Sequence, residues 1–396
     1  MDTSALLSER ARAIDASGIR RVFELAAGLK DPINLSIGQP DFHVPDALKK
    51  AAVDAINHDQ NGYTLTQGTP ALRERIAGAL ERDTGWRCAL TPDSPGPGLM
   101  VTSGTSGALL LSFLSLLSPG DEVVIPDPYF VSYPELATMC GARAVLCDTY
   151  PDFRMTAERV EPLLTDRTKA VLYCSPSNPA GVALSVDEVR DLLDLCRARG
   201  VLLIADEIYD EFAFRRARTQ PSAGDPNHLR CPSPARLAGS EEDVLLIRGF
   251  GKTYGCTGWR LGYAAGPASL IGAMTRLQQY TFVCAPAPLQ AAAIAAIETD
   301  MRATVERFER RRSMVVGALS PVTDLVEPDG AFYAFVRVPE HLGMTGSAFF
   351  ERCLEREVLV IPGNIFSSRD THFRISFATP DEKLKQGLEI IAGLMA

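Results

Sequence analysis

No stretch of this 396-residue chain is apolar for long enough to cross a bilayer. The longest near-apolar run, 108–117, is broken by Ser112 and Ser115 and stops at Pro119-Gly120. Basic residues are in the minority: 40 Lys and Arg stand against 49 Asp and Glu, a formal charge of −9. That balance argues against sequence-independent binding to nucleic acid or anionic membranes, both of which need a basic surface. The opening residues, Met1-Asp2-Thr3-Ser4, lack the basic region and apolar core of a secretory signal. The nine cysteines are odd in number and widely scattered, with no Cys-x-x-Cys pair. Neither a disulfide framework nor a zinc site follows from them, and no metal ligand set is expected. With 46% hydrophobic and 22% charged residues, disordered and fibrous classes are excluded. The expectation is a globular cytoplasmic protein, too long for one hydrophobic core and divided into roughly two or three domains.

The middle of the chain alternates short aliphatic runs with helical patterns. Runs at 122–126, 142–147, 169–174, 201–205, 244–248 and 261–265 are continuously apolar, as strands covered on both faces are. Between two of them, Ser185-Val-Asp-Glu188 forms a capping box. Val189, Leu192, Leu193 and Cys196 then share one helical face, and Gly200 ends the helix. Strand, helix and strand predict a largely parallel sheet with right-handed crossovers. Ligands of such sheets bind beyond the carboxyl ends of the strands. Residues 91–98 and the Pro- and Gly-rich 215–243 read as surface excursions, and 285–299 as an alanine-rich helix continuing toward Arg312. Strand-like runs at 332–338, 358–361 and 373–378 then suggest a smaller α+β domain.

Chemistry is expected just after each apolar run. The run 201–205 leads straight into Asp206-Glu-Ile-Tyr209, and a buried carboxylate is costly unless something positive meets it. By itself Asp206 reads equally as a cap, a member of an ion pair, or a functional acid. Gly251-Lys252-Thr253 is not a phosphate loop, because Leu246 stands where that motif needs glycine. Lys252 follows the run 244–248 in a glycine-flanked turn and is either a surface cation or a buried amine able to form a Schiff base. Arg260 is a candidate bidentate phosphate clamp. Ser103, Gly104, Thr105 and Ser106 lead into a helix whose first N–H groups favour an anion. Asn178, in the proline-rigid 175–181 turn, reads as a turn residue or a fixed amide donor. Arg374 reads as a snorkelling strand residue or the partner of a substrate carboxylate.

Taken in order, these residues make the chain resemble the fold-type I pyridoxal-phosphate aminotransferases of class I/II, the group of aspartate and aromatic amino-acid aminotransferases. The resemblance runs from Asn34-Leu-Ser-Ile-Gly-Gln-Pro-Asp-Phe42 to Arg374. Between them lie Tyr63 before Gly68-Thr-Pro-Ala-Leu-Arg73, Asp127-Pro-Tyr-Phe-Val-Ser-Tyr-Pro134, Ser177-Asn-Pro-Ala-Gly181, Asp206-Glu-Ile-Tyr209, Lys252 and Gly258-Trp-Arg260. The resemblance implies an α/β fold: a large domain over 45–290, its mostly parallel sheet sandwiched by helices, and a smaller α+β domain from 1–44 and 291–396. It implies pyridoxal 5′-phosphate bound covalently to Lys252, which also acts as general base and acid. Asp206 would pair with the pyridine nitrogen, making the ring an electron sink. Tyr209 and Asn178 would bond its phenolic oxygen, and Phe130 would stack on the ring. Ser103, Gly104, Thr105, Ser106, Arg260 and Tyr63 from a second subunit would hold the phosphate. Arg374 and the backbone at Gly38, with Asn178, would bind the substrate. The implied partners are an α-amino acid, a 2-oxo acid and a second copy of the chain in a homodimer, with no nucleic acid and no membrane.

Departures from the family pattern matter. Serines common one and three places before the lysine are here Gly251 and Gly249, so phosphate ligands are fewer and Ser103 and Arg260 are expected to carry more. Phe130 stands where many relatives have Trp. The phosphate loop offers Thr105 and Ser106 but no lysine for a distal carboxylate, so an acidic substrate is not supported unless Arg20 supplies the charge. The leading expectation is amino-group transfer by a ping-pong cycle. The alternatives are a carbon–sulfur β-lyase of the same fold and a non-catalytic pyridoxal-binding regulatory domain. The last would need a DNA-binding segment before the body of the fold, and no helix-turn-helix pattern precedes residue 45.

Overall fold

A computed structural model of the chain describes residues 3–14, 18, 19, 22, 29, 31–91 and 94–396. In chain order the strands are β1 (Ile33–Asn34), β2 (Gly98–Ser103), β3 (Glu122–Asp127), β4 (Arg143–Asp148), β5 (Thr168–Cys174), β6 (Leu202–Asp206) and β7 (Gln220–Ser222). They continue with β8 (Asp225–Arg230), β9 (Val244–Gly249), β10 (Leu261–Gly266), β11 (Tyr333–Arg337), β12 (Val358–Leu359), β13 (Ile361–Pro362) and β14 (His372–Ser376). Seven strands form one sheet in the order β2-β10-β9-β6-β5-β3-β4, in which β10 runs against both its neighbours and the other pairs are parallel. The apolar runs fall on these strands because both faces of the sheet are covered. Ile204, Leu245 and Ile247 pack into one core, while Leu203, Ala205, Val244 and Leu246 pack into the other. Period-two alternation sends neighbours to opposite faces, so the middles of the strands carry apolar residues at successive positions.

The expected parallel sheet is present, with three differences. Strand β2 lies at the end of the Pro- and Gly-rich 91–98 segment, where only Leu99, Met100 and Val101 signal it. Strand β10 is antiparallel because 250–260 is too short for a crossover, which takes about a dozen residues or more, usually a helix. The excursion 215–243 contains the β7–β8 hairpin, paired through Gln220 and Arg230.

The capping box forms as expected. Glu188 N donates to Ser185 Oγ at 3.2 Å, Ser185 N donates to Glu188 Oε2 at 2.7 Å, and the helix Val186–Arg199 buries Val189, Leu192, Leu193 and Cys196. The alanine-rich helix is shorter than expected. It spans Ala287–Ile297 and is separate from the next, Arg302–Leu319. Thr299 Oγ1 turns back to Ala295 O at 2.9 Å, and Asp300 Oδ1 accepts from Arg302 N at 2.9 Å. Those side-chain bonds to the backbone end one helix and begin another.

In the C-terminal region β11, β14 and β13 form an antiparallel sheet, and β1 pairs in parallel with β12. The single run expected at 358–361 is thus divided between two sheets. Among the described residues no helix is long and apolar enough to cross a membrane.

Ser185→Ala is expected to cost about 1 kcal/mol, the usual value of a helix N-cap. Equilibrium urea unfolding would show it as a lowered midpoint with unchanged slope.

Candidate active site

The carboxyl ends of the parallel strands open onto a cavity of about 740 Å³. Strand β6 delivers Asp206 to it, β9 leads through a short helical turn to Lys252, and β5 leads to Asn178. The small sheet contributes Arg374 from β14, and the 36–41 segment contributes Gly38. Gly104, Thr105, Ser106, Phe130, Tyr209 and Arg260 complete the expected set that lines it. Two expected residues do not. Ser103 ends β2 behind the loop, and Tyr63 is 88% exposed on the surface. Arg20 lies outside the described residues.

Two ionisable groups of opposite sign dominate this cavity. The Lys252 amine donates to Gly38 O, with the Tyr209 and Phe332 ring centroids 6.0 and 5.8 Å away. Burial, helped by the positive Arg374 and Arg260, brings its pKa down to about 7 against the pull of Asp206. The Asp206 carboxylate is 3% exposed and accepts from Tyr133 Oη at 2.7 Å and from Ile208 N at 3.3 Å. Burial pushes its pKa up to about 6, and those two hydrogen bonds oppose the rise.

Around this pair the polar groups are arranged by type. Tyr209 and Tyr333 share a hydrogen bond between their hydroxyls at 3.0 Å. Arg374 is 1% exposed, donates to Asn178 Oδ1 and to Ser36 O at 2.9 Å each, and lies over the rings of Tyr333 and Phe366. Among the described residues its buried Nε has no partner. Because Asn178 Oδ1 is engaged by Arg374, the amide has its two N–H donors left to offer a ligand.

A second group of donors converges at the start of the helix Gly104–Leu116. Arg260 adopts a left-handed backbone (φ 55°), and its guanidinium reaches Thr257 O at 3.0 Å and Ser106 Oγ at 3.4 Å. A Cβ on Gly104 would lie 2.7 Å from Arg260 Nη2, and one on Gly262 would lie 2.8 Å from Thr105 N. Only glycine at both positions lets the loop, the strand and the guanidinium close in. At Gly249 a Cβ would meet Ile208 Cδ1 and Thr105 Cγ2, each at 2.8 Å. The serine usual three places before the lysine therefore has no room here, because Thr105 occupies its space.

Residues 30–391 match the family model for aminotransferase class I and II. The chain is 36% identical to the aspartate aminotransferase of Rhizobium meliloti, over 97% of this chain and 95% of that one. It is 32% identical to aromatic-amino-acid aminotransferase 2 of Thermococcus litoralis, over 97% and 96%. A double mutant of the Thermus thermophilus aspartate aminotransferase superposes with a TM-score of 0.88 at 32% identity, covering 98% of this chain and 99% of the other. This chain belongs to the class I and II aminotransferases. It is an enzyme of fold type I, in a family known to depend on pyridoxal phosphate.

The aminotransferase cavity suits that group chemically. An anion cradle stands at a helix start, a buried acid has no guanidinium bonded to it among the described residues, and an amine near neutrality completes the set. Two contacts escaped the sequence reading: Tyr133 on Asp206 and Tyr333 on Tyr209. Tyr133 lies within the Asp127–Pro134 motif, and Tyr333 in the strand-like run 332–338, but neither motif reveals its partner.

In the unliganded protein the raised Asp206 pKa makes the native state bind more protons than the unfolded one between about pH 4 and 6. Its contribution to stability is present below that window and lost as pH rises through about 6. Asp206→Asn is therefore expected to stabilise the unliganded protein by about 3 kcal/mol at pH 7.5, with the gain vanishing by about pH 4. Urea unfolding of both proteins across that range checks it.

Proposed function

We propose that this enzyme binds pyridoxal 5′-phosphate covalently through Lys252 and exchanges the amino group of an α-amino acid with the oxygen of a 2-oxo acid in a ping-pong cycle. The observation that carries this reading is the convergence of Lys252 and Asp206 in one buried cavity with the Arg260 cradle and Arg374. Bound there, the cofactor supplies an electron sink for negative charge at the substrate Cα.

The remaining work belongs to the chain. Lys252, with its amine brought down to about 7, can hold or release a proton near neutral pH and would serve as general base and acid at the substrate Cα. Asp206, held by Tyr133 and Ile208 N, would pair with the ring nitrogen and keep it protonated. A cationic partner there lowers the carboxyl pKa from its raised value. Arg260 and the N–H groups of Gly104, Thr105 and Ser106 hold the phosphate, and Thr105 takes the space a serine at 249 would need. Ser103 shapes that loop from behind. Phe130 would stack on the ring. Tyr209 and the N–H end of Asn178 would donate to the phenolic oxygen, with Tyr333 orienting Tyr209 through their shared hydrogen bond. Arg374, with one buried nitrogen unpartnered and the other two engaged, is set to bind the α-carboxylate with the backbone at Gly38.

Tyr63 reaches a phosphate only if it crosses to a second copy of the chain, so we read the enzyme as a homodimer. Exposed Tyr63, Leu65, Tyr280, Phe282 and Val283 support this. Gln278 Nε2 donates to Thr66 O at 2.5 Å and thereby ties the two exposed segments together. We place the large domain at 45–290 and the small one at 1–44 and 291–396, and assign the enzyme to the cytoplasm.

Lys252→Ala is expected to abolish the borohydride-reducible cofactor adduct and to lower turnover by about three orders of magnitude or more. Arg374→Lys keeps the charge but loses the fork, and should raise the amino-acid KM roughly tenfold with the bound-cofactor absorbance intact. Single-turnover mixing with a panel of amino acids tests the reaction itself. Pyridoxamine phosphate should remain on the protein. Release of pyruvate and ammonia with no need for a 2-oxo acid would replace transamination with β-elimination.

A further inference from the structure

We propose that Arg248 is a positioning residue that, through Glu207 and Asp83, sets the spacing between Asp206 and Lys252. The inference rests on the function proposed above and extends it to a buried ion network on the other side of the sheet.

Strands β6 and β9 are adjacent and parallel, with Asp206 in register with Ile247 and Glu207 N donating to Ile247 O at 2.9 Å. Side chains alternate across a strand, so Asp206 faces the cavity while Glu207 points to the opposite face. Arg248 leaves β9 on that opposite face. Its Nε and Nη2 donate to Glu207 Oε2 at 3.0 and 2.8 Å, and its Nη1 donates to Asp83 Oδ2 at 2.7 Å. Asp83 sits near the end of the helix Pro70–Thr84 and also receives Arg236 at 2.9 and 3.0 Å. Asp210 approaches Arg248 Nε at 3.2 Å, and Tyr263 pairs with Arg248 across β10. One guanidinium thus ties two strands and a helix together at the level where the two functional side chains emerge.

Phe250 anchors this segment only through apolar contact, its buried ring packed against Tyr254 and Tyr263. Gly249 and Gly251, the residues between Arg248 and Lys252 apart from Phe250, have no side chains to anchor the turn. The Glu207 carboxylate is 2% exposed, its Oε1 has no partner, and its hydrogen bonds among the described residues come from Arg248. Without that guanidinium, a bare buried carboxylate would stand one residue from Asp206, opposing its ionisation. A lysine at 248 would keep the charge and lose the fork that spans both carboxylates.

The test reads the Lys252 amine in the unliganded protein, by the pH dependence of its reductive methylation with ¹³C-formaldehyde. The wild-type midpoint should lie near 7. Arg248→Lys keeps a positive charge beside Glu207 but loosens the turn, so water reaching the buried amine should raise the midpoint by about one unit or more, and the dissociation constant for pyridoxal phosphate should rise roughly tenfold. Arg154→Lys loosens the ion pair with Glu188 and should leave both quantities at wild-type values. If Arg248→Lys lowers the unfolding midpoint but moves neither quantity, its role is merely structural and the inference is overturned. If Arg248→Lys does not fold, Glu207→Gln and Glu207→Ala decide the matter. Gln keeps an acceptor for Arg248 and should stay near wild type, Ala should show the shift, and an unshifted Ala variant overturns the inference. Wild-type protein that takes up no pyridoxal phosphate would overturn the proposed function, whereas the amine midpoint still decides this proposal.

Discussion

The structure is organised around two buried groups of opposite charge that cannot each find a full partner inside the protein. Lys252 is dehydrated until its amine titrates near neutrality, and Asp206 is buried until its acid titrates nearly as high. Each alone would be a liability, because a buried charge without a partner is costly. Both line one cavity at the carboxyl ends of the parallel strands. Burying both without full compensation strains the fold at this one place.

That strain is supportable because of where the sheet places it. The middles of the strands are apolar and pack into the two cores, while Asp206 and the turns to Asn178 and Lys252 lie at or beyond their carboxyl ends, where the cavity opens. Alternation at those ends separates two kinds of polar network. Asp206 and Lys252 face the cavity and are left undercompensated, while Glu207, Arg248 and Asp83 face away and are closely paired.

The glycines near the site extend the same logic. Gly104 and Gly262 allow a helix start, an antiparallel strand and an arginine to meet within contact distance. The absence of a serine at 249, which in the sequence looks like a lost phosphate ligand, is in the fold the space taken by Thr105 and Ile208. A departure from a family pattern in one element is met by a side chain from another.

The sequence alone determined the strands of the parallel sheet, the capped helix and the residue types that meet at the site, because each leaves a local signal: an apolar run, a Ser-x-x-Glu box, a lysine or acid just past a strand. It also made the family legible, through motifs whose order along the chain is itself the signal. Only the tertiary structure decided which groups touch. Tyr133 and Asp206 are 73 residues apart, Tyr209 and Tyr333 are 124 apart, and Arg374 meets Ser36 across 338. It also decided that β10 runs antiparallel and that the helix after Ala287 stops at Ile297, outcomes set by loop length and a pair of side-chain bonds rather than by apolar periodicity. Local pattern specifies an element, whereas a contact depends on how elements pack, and that information is distributed over the whole fold.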